Sequence, residues 1–277
     1  MNQGLLSSPF PEVTEQPVSR GLGEKSKAMD QYKAIVDSRT GKVFAVASQE
    51  YKVMRHEEAI ERIETAFAEN PQLGAYQVST SFYNGGGRMR RQYSFSDVST
   101  QISPDDTINL ELYMYNSYDL TWPFIVTLGA FRKVCSNGLV VREEYFRIKR
   151  KHSLRFDSLS IKKELSSAIK RFGMQSAEWR RWSSMPLTFK TYKRVMSARA
   201  FGKKATEEIE KRVFHDAKDS TSDGFPMITI WAFYNVLTWY ITHCAVSLNH
   251  QVELESRLRV AIVFLVRAMP RFRRMGS

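Results

Sequence analysis

The spacing of apolar positions divides the chain into segments of different period. Residues 1–29 are rich in Ser, Pro, Gly and Gln with few periodic apolar positions, and they read as a flexible amino-terminal arm. Near Tyr32 the pattern sharpens: YKAIVDSRTGKVFAVAS sets two short apolar runs around Asp37-Ser38-Arg39-Thr40-Gly41, which predicts a hairpin. HEEAIERIETAFAENP then places Ala59, Ile60, Ile63, Ala66 and Phe67 on one helical face, opens with acids suited to a helix N-terminus and stops before Pro71.

From Gly74 the period becomes two. In YQVSTSFY, Tyr76, Val78, Thr80 and Phe82 alternate with Gln77, Ser79, Ser81 and Tyr83; after Gly85-Gly86-Gly87, Met89, Tyr93 and Phe95 are set against Arg88, Arg90, Gln92 and Ser94. The triple glycine is therefore a hairpin tip. TINLELYMY sends Ile108, Leu110, Leu112 and Met114 one way and Asn109, Glu111, Tyr113 and Tyr115 the other, while WPFIVTLGAF is apolar on both faces and predicts an interior strand. Beyond Phe156 the period is helical again, in FDSLSIKKELSSAIKRFGMQ, KKATEEIEKRVFHDAK, the Ile228 to Leu248 segment and VELESRLRVAIVFLVRAM. These elements predict an α+β fold, an antiparallel sheet with hairpins packed by helices and a helical C-terminal half. The expected organisation is an arm over 1–29, an α+β core over 30–185 and a mainly helical region over 186–277. The sheet has one covered face and one face showing arginine, tyrosine, asparagine and glutamine.

Charge points to a class of partner. Lys and Arg total 41 against 29 Asp and Glu, a formal net charge of +12 in 277 residues. Such a surplus favours a polyanion, nucleic acid first, because neutralising phosphates releases counterions. Ile228 to Leu248 is long enough to span a bilayer, yet Asn235, Thr238 and Thr242 fall along one helical stripe, and a buried helix of a soluble domain fits better. The start of the chain lacks the basic-then-apolar order of a secretory signal, and two cysteines far apart, Cys135 and Cys244, form no disulfide framework, so the expected compartment is the cytoplasm.

Candidate chemistry is sparse. Cys135 has no histidine fixed beside it and reads as inert, entering a Ser136-Asn137-Gly138 turn. The histidines show no metal-binding spacing, and GGGRMRR lacks the GK[ST] ending of a phosphate-gripping loop, so no metal or cofactor is expected. Asp105, Asp106 and Glu111 could seat magnesium in a nuclease, but SPDDT reads as a surface turn, and a non-enzymatic protein is expected.

The basic clusters carry more. Arg88, Arg90 and Arg91 follow the glycine tip; Arg147, Lys149, Arg150 and Lys151 crowd a second segment beside Tyr145 and Phe146; Arg180 and Arg181 sit between Trp179 and Trp182, with Lys193 further on beside Tyr192. Cations follow a phosphate backbone while aromatic faces stack on unpaired bases, a mixture suited to single strands without sequence preference. Solvated cations over an aromatic core would give similar runs, and the mixing of both residue types in all three clusters favours binding.

Three blocks carry a resemblance: YKAIVDSRTGKVFAVASQEYKVMRHEEA, YNSYDLTWPFIVTLGAFRKVCSNGLVV and WAFYNVLTWYITHCAVSLNHQVELESRL. Together they resemble the family of phage- and plasmid-borne proteins of unknown function labelled phage/plasmid-like protein. The resemblance brings no catalytic residue and implies a mobile-element context. The order of hairpin, helix, antiparallel sheet and long helix is also similar in architecture to the Rad52-like single-strand annealing proteins, which form rings or filaments. Together these imply a single-stranded DNA-binding and ATP-independent annealing protein of phage or plasmid recombination, a homo-oligomer in ring or filament form with host or phage recombination proteins as further partners. The alternative is a non-enzymatic anti-defence or regulatory factor that binds a host protein or duplex DNA.

Overall fold

The structure, a computed structural model, describes residues 10–21, 23–104, 106–132, 142–150, 158–197, 201–215, 219–222, 224–244 and Arg257. They fall into two compact units, one drawn from Met1–Ser99, Asn109–Ala130 and Glu143–Phe172, the other from Thr100–Ile108, Phe131–Arg142 and Gly173–Ser277. The fold is α+β, with antiparallel sheets of three and five strands and helices gathered in the C-terminal half.

In the first unit, β1 (Val13–Arg20), β2 (Lys27–Asp37) and β3 (Val43–Ser48) form the smaller sheet in that order. The hairpin expected around Asp37 is present: Thr40 Oγ1 donates to Asp37 Oδ2 at 2.7 Å, and Gly41 takes a positive φ of 71° that closes the turn without a Cβ penalty. The arm is corrected in part. Val13–Arg20 is a strand, its Val13 opposite Asp37 and its Thr14 opposite Val36. Its other side chains are mostly exposed, so the strand has little apolar period to read, and it is held by ladder hydrogen bonds and by Val13, which is buried with Ile35, Phe44, Ala47 and Tyr118.

Helix α1 (His56–Ala68) follows as expected, burying Ala59, Ile63, Ala66 and Phe67. Phe67 meets Tyr93 and Phe95 edge-on, with ring centroids 4.9 and 5.1 Å apart. Those rings belong to the larger sheet, β4 (Tyr76–Tyr83), β5 (Arg88–Ser103), β6 (Asp106–Ser117), β7 (Phe124–Arg132) and β8 (Arg142–Arg150), ordered in sequence. Met89, Tyr93, Phe95, Leu110, Leu112 and Met114 are fully buried on the helix side, and each such apolar side chain contributes about 1.5–3 kcal/mol on burial. β7 is buried on both faces, with Val126, Thr127 and Leu128 all inaccessible, as its uninterrupted apolar run predicts. Helix α2 (Ser158–Ser184) joins the helix side: Ser166 Oγ donates to Asn70 Oδ1 just beyond α1, and Phe172 packs on Tyr145 of β8.

In the second unit, the C-terminal part of α2 carries Trp179 and Trp182, both buried against α5 (Ile230–Cys244), where they meet Trp231 and Tyr234. Trp231 Nε1 donates to the buried carboxylate of Asp106 at 2.8 Å. α5 buries Trp231, Phe233, Tyr234, Leu237, Tyr240 and Ile241, while Ala232, Asn235 and Trp239 are half-buried and His243 is exposed along one stripe of the helix. Residues 245–248 of the expected segment lie outside the described residues, as does the final expected helix apart from Arg257. Among the described residues no helix is long and apolar enough to cross a membrane. Helix α3 (Phe189–Met196), which the pattern did not predict, starts at Thr188, whose Oγ1 accepts the Thr191 N–H; α4 (Lys203–His215) was expected.

Candidate nucleic-acid interface

The site is the face of the five-stranded sheet away from α1. Its geometry begins at the hairpin tip, where Asn84, Gly85 and Gly86 all have positive φ, a turn that glycines accommodate, and where Lys42 Nζ donates to Asn84 O at 2.7 Å. From the tip, β5 pairs with β4 in register without interruption, Tyr83 opposite Arg88, Ser81 opposite Arg90 and Ser79 opposite Gln92. Opposed residues share a face, so Arg88, Arg90 and Tyr83 stand together. β6 adds Glu111, Tyr113 and Tyr115 at alternate positions on the same side, fixed by Gln92 Nε2 donating to Glu111 Oε2 at 3.0 Å.

The result is a patch of cations interleaved with rings. The Arg90 guanidinium lies 5.0 Å from the Tyr113 centroid and the Arg88 guanidinium 5.7 Å from that of Trp122. Trp122 meets Tyr83 and Tyr115 edge-on at 5.7 and 5.8 Å. Tyr83 is 44% exposed, so the patch opens to solvent at the tip end. Burial works against the Arg90 charge, but Tyr115, Tyr113 and Tyr83 around it prevail and raise its pKa above the ordinary arginine value. The Nε–H of Arg90 finds no acceptor among the described residues. Burial, followed by the hydrogen bond to Glu111, raises the Tyr113 hydroxyl pKa, so it remains a donor at 2.7 Å from that carboxylate.

Asp119 closes the tip end. Burial raises its pKa, and hydrogen bonds from Thr121, Asn84 and Arg88 outweigh that, leaving the carboxyl below its ordinary value. A carboxyl depressed in the folded state stabilises above its unfolded pKa, near 3.9, and that contribution is lost as pH falls through the folded value. Urea titrations from pH 6 down to pH 2.5 should show a stability loss beginning near pH 4, and Asp119→Asn should lack that part of the loss.

The other sequence candidates take different places. Arg91 shares the parity of Met89 and Tyr93 and faces α1, donating to Glu64 Oε1 at 2.9 Å and to Thr80 Oγ1 at 2.8 Å. Arg147 and Lys149 are exposed and alternate with Tyr145 onto the side of β8 that meets α2, not the side of Arg88 and Arg90. The Arg150 side chain and Lys151 lie outside the described residues, as do Cys135, Ser136, Asn137 and Gly138. Arg180, Arg181 and Lys193 are exposed in the second unit, where Arg180 donates to Thr100 Oγ1 and Lys193 lies 4.4 Å above the Phe189 ring. The tryptophans flanking Arg180 and Arg181 are core residues and offer no ring to a base. Asp106 and Glu111, five residues apart on one strand, alternate to opposite faces, and Asp105 is outside the described residues. Among the described residues no cluster of three or more metal-ligating side chains occurs. Trp122 falls at the head of the apolar run WPFIVTLGAF, which predicts an interior strand and not a site residue; it lies just before β7, outside any alternating run that would have marked it.

Domain of unknown function (DUF932) matches residues 43–262 of the chain. No curated protein and no solved structure matches it.

Proposed function

Because the chain belongs to the DUF932 family, a domain of unknown function, we propose its role from the polar sheet face: it binds single-stranded DNA there and promotes pairing of complementary strands without ATP. The observation that carries this reading is the interleaving of Arg88 and Arg90 with Tyr83, Tyr113, Tyr115 and Trp122 on one face of an antiparallel sheet, in a chain of net charge +12. Arginine holds the phosphate backbone, and ring faces take bases at about 1–3 kcal/mol per stacked base. Arg90 is the main phosphate grip, since Asp119 already neutralises Arg88. A strand held by its backbone and by the faces of some bases keeps the pairing edges of the rest free for a complement. A homo-oligomer, ring or filament, multiplies these weak contacts along one strand. The setting is recombination of a phage or plasmid in the cytoplasm.

The test is annealing of two complementary labelled oligonucleotides, followed by energy transfer without nucleotide cofactor at 50 and 200 mM salt. Pairing faster than the spontaneous rate at low salt, with the acceleration weakened at high salt, is expected. Pairing at the spontaneous rate under both conditions would contradict the annealing role.

A further inference from the structure

The five-stranded sheet ends in two unlike edges. Among the described residues no strand pairs with β4 on its far side from β5, nor with β8 on its far side from β7. β4 carries none of the usual devices against pairing: YQVSTSFY has no charge and no proline, and its eight positions run in unbroken register with β5. Tyr76 is 37% and Val78 42% exposed. Beside this edge runs a groove of about 530 Å³ along α1, lined by Glu57, Glu61 and Glu64 and reaching Arg91, the residue that bonds Thr80 of β4. Glu64 is paired with Arg91, whereas Glu57 and Glu61 are exposed and have no ion-pair partner among the described residues. The opposite edge, β8, presents exposed Arg147 and Lys149 on its own helix side; Lys149 has no ion-pair partner among the described residues, and Arg147 reaches only Glu144, at 3.9 Å.

We propose that copies of this chain join head to tail, the β8 edge of one protomer adding to the β4 edge of the next, so that Arg147 and Lys149 of the incoming strand enter the Glu57 and Glu61 groove. The faces agree: both charge sets lie on the helix side, so a sheet continued across copies brings them together. Direction agrees as well, because in an antiparallel sheet of five strands the first and last run the same way, and a copy displaced along the sheet meets its neighbour through parallel edges. Two-fold pairing of like edges would set glutamates against glutamates or cations against cations. A head-to-tail contact does not close on two copies and produces rings or filaments. This proposal deepens the oligomer in the proposed function by naming its surface, and its test needs no nucleic acid.

Sedimentation velocity over a concentration series at low salt tests it, on the wild type and on two charge reversals, Glu57→Lys with Glu61→Lys and Arg147→Glu with Lys149→Glu. The wild type is expected to sediment as species larger than a dimer, each variant alone as a monomer, and their equimolar mixture as large species again, since the reversed groove of one fits the reversed strand of the other. All four side chains are exposed, so circular dichroism should be unchanged. Val78→Lys, which leaves α1 and β8 untouched, should also give monomers by placing a cation where the basic strand must pair. A wild type that is a monomer or stops at a dimer, variants that assemble like the wild type, or a mixture that recovers only dimers would each overturn the proposal. A monomeric wild type that still binds an oligonucleotide would overturn this assembly while leaving the DNA-binding part of the proposed function intact.

Discussion

Replacing His56 by alanine should destabilise the protein by about 3–5 kcal/mol, the largest single-residue effect expected in the first unit. The imidazole is completely buried at the start of α1. Its Nε2 lies 2.9 Å from Gly86 O in the hairpin tip, and its Nδ1 lies 3.0 Å from Asn116 Nδ2, which also donates to Met54 O at 2.9 Å. The amide hydrogens of Asn116 are thus both donated, so Nδ1 is an acceptor and the ring proton sits on Nε2, donating to Gly86. The ring also lies against Tyr118, tilted by 31° with centroids 4.1 Å apart, and the Tyr118 hydroxyl accepts the His56 backbone N–H at 2.7 Å, in place of the side-chain cap that Arg55 does not supply. Alanine would leave a cavity against Tyr118 and strand two buried polar groups, each unmade hydrogen bond costing about 1–3 kcal/mol. Urea denaturation monitored by circular dichroism measures the loss. A change below about 1 kcal/mol would mean that the clamp between α1 and the tip does not form in solution.

No pattern in the sequence marks His56, because its partners come from positions 30, 60 and 62 residues away along the chain. What was legible was whatever repeats locally. The period of α1 and the alternation of β4, β5 and β6 gave both elements and faces, since burial there follows residue type. β1 was hidden because an exposed strand held by a ladder carries few apolar residues, and α3 because eight residues with Tyr192 and Val195 as the buried pair give too short a period. The basic clusters show a different failure. Read as linear runs they mix cations with rings, but a strand or helix sorts neighbours by direction. Arg91 shares the parity of Met89 and Tyr93 and so turns inward, and Trp179 and Trp182, three apart on a helix, share a buried face that Arg180 and Arg181 do not. Parity alone would have separated Arg88 and Arg90 from Arg91.

The second large effect is expected on binding. Arg90→Ala combined with Tyr83→Ala removes the cation with an unmatched Nε–H and the most exposed ring of the patch, while both positions pair with cross-strand neighbours through backbone atoms that alanine retains. Losing one stacked base costs about 1–3 kcal/mol, roughly a 5- to 150-fold weakening, and losing one phosphate contact flattens the salt dependence by about 0.7 in the slope of log K against log salt. Arg91→Ala makes a useful contrast, since that side chain is engaged with Glu64 and Thr80 on the other face and should leave the slope unchanged. The most direct measurement is therefore fluorescence anisotropy of a labelled oligothymidine titrated with wild type, the Arg90 and Tyr83 double variant and Arg91→Ala over a series of salt concentrations. Wild-type binding should weaken with salt, the double variant should bind at least tenfold more weakly with a shallower slope, and Arg91→Ala should keep the wild-type slope. Equal affinity and slope for wild type and the double variant would contradict the assignment of DNA to this face.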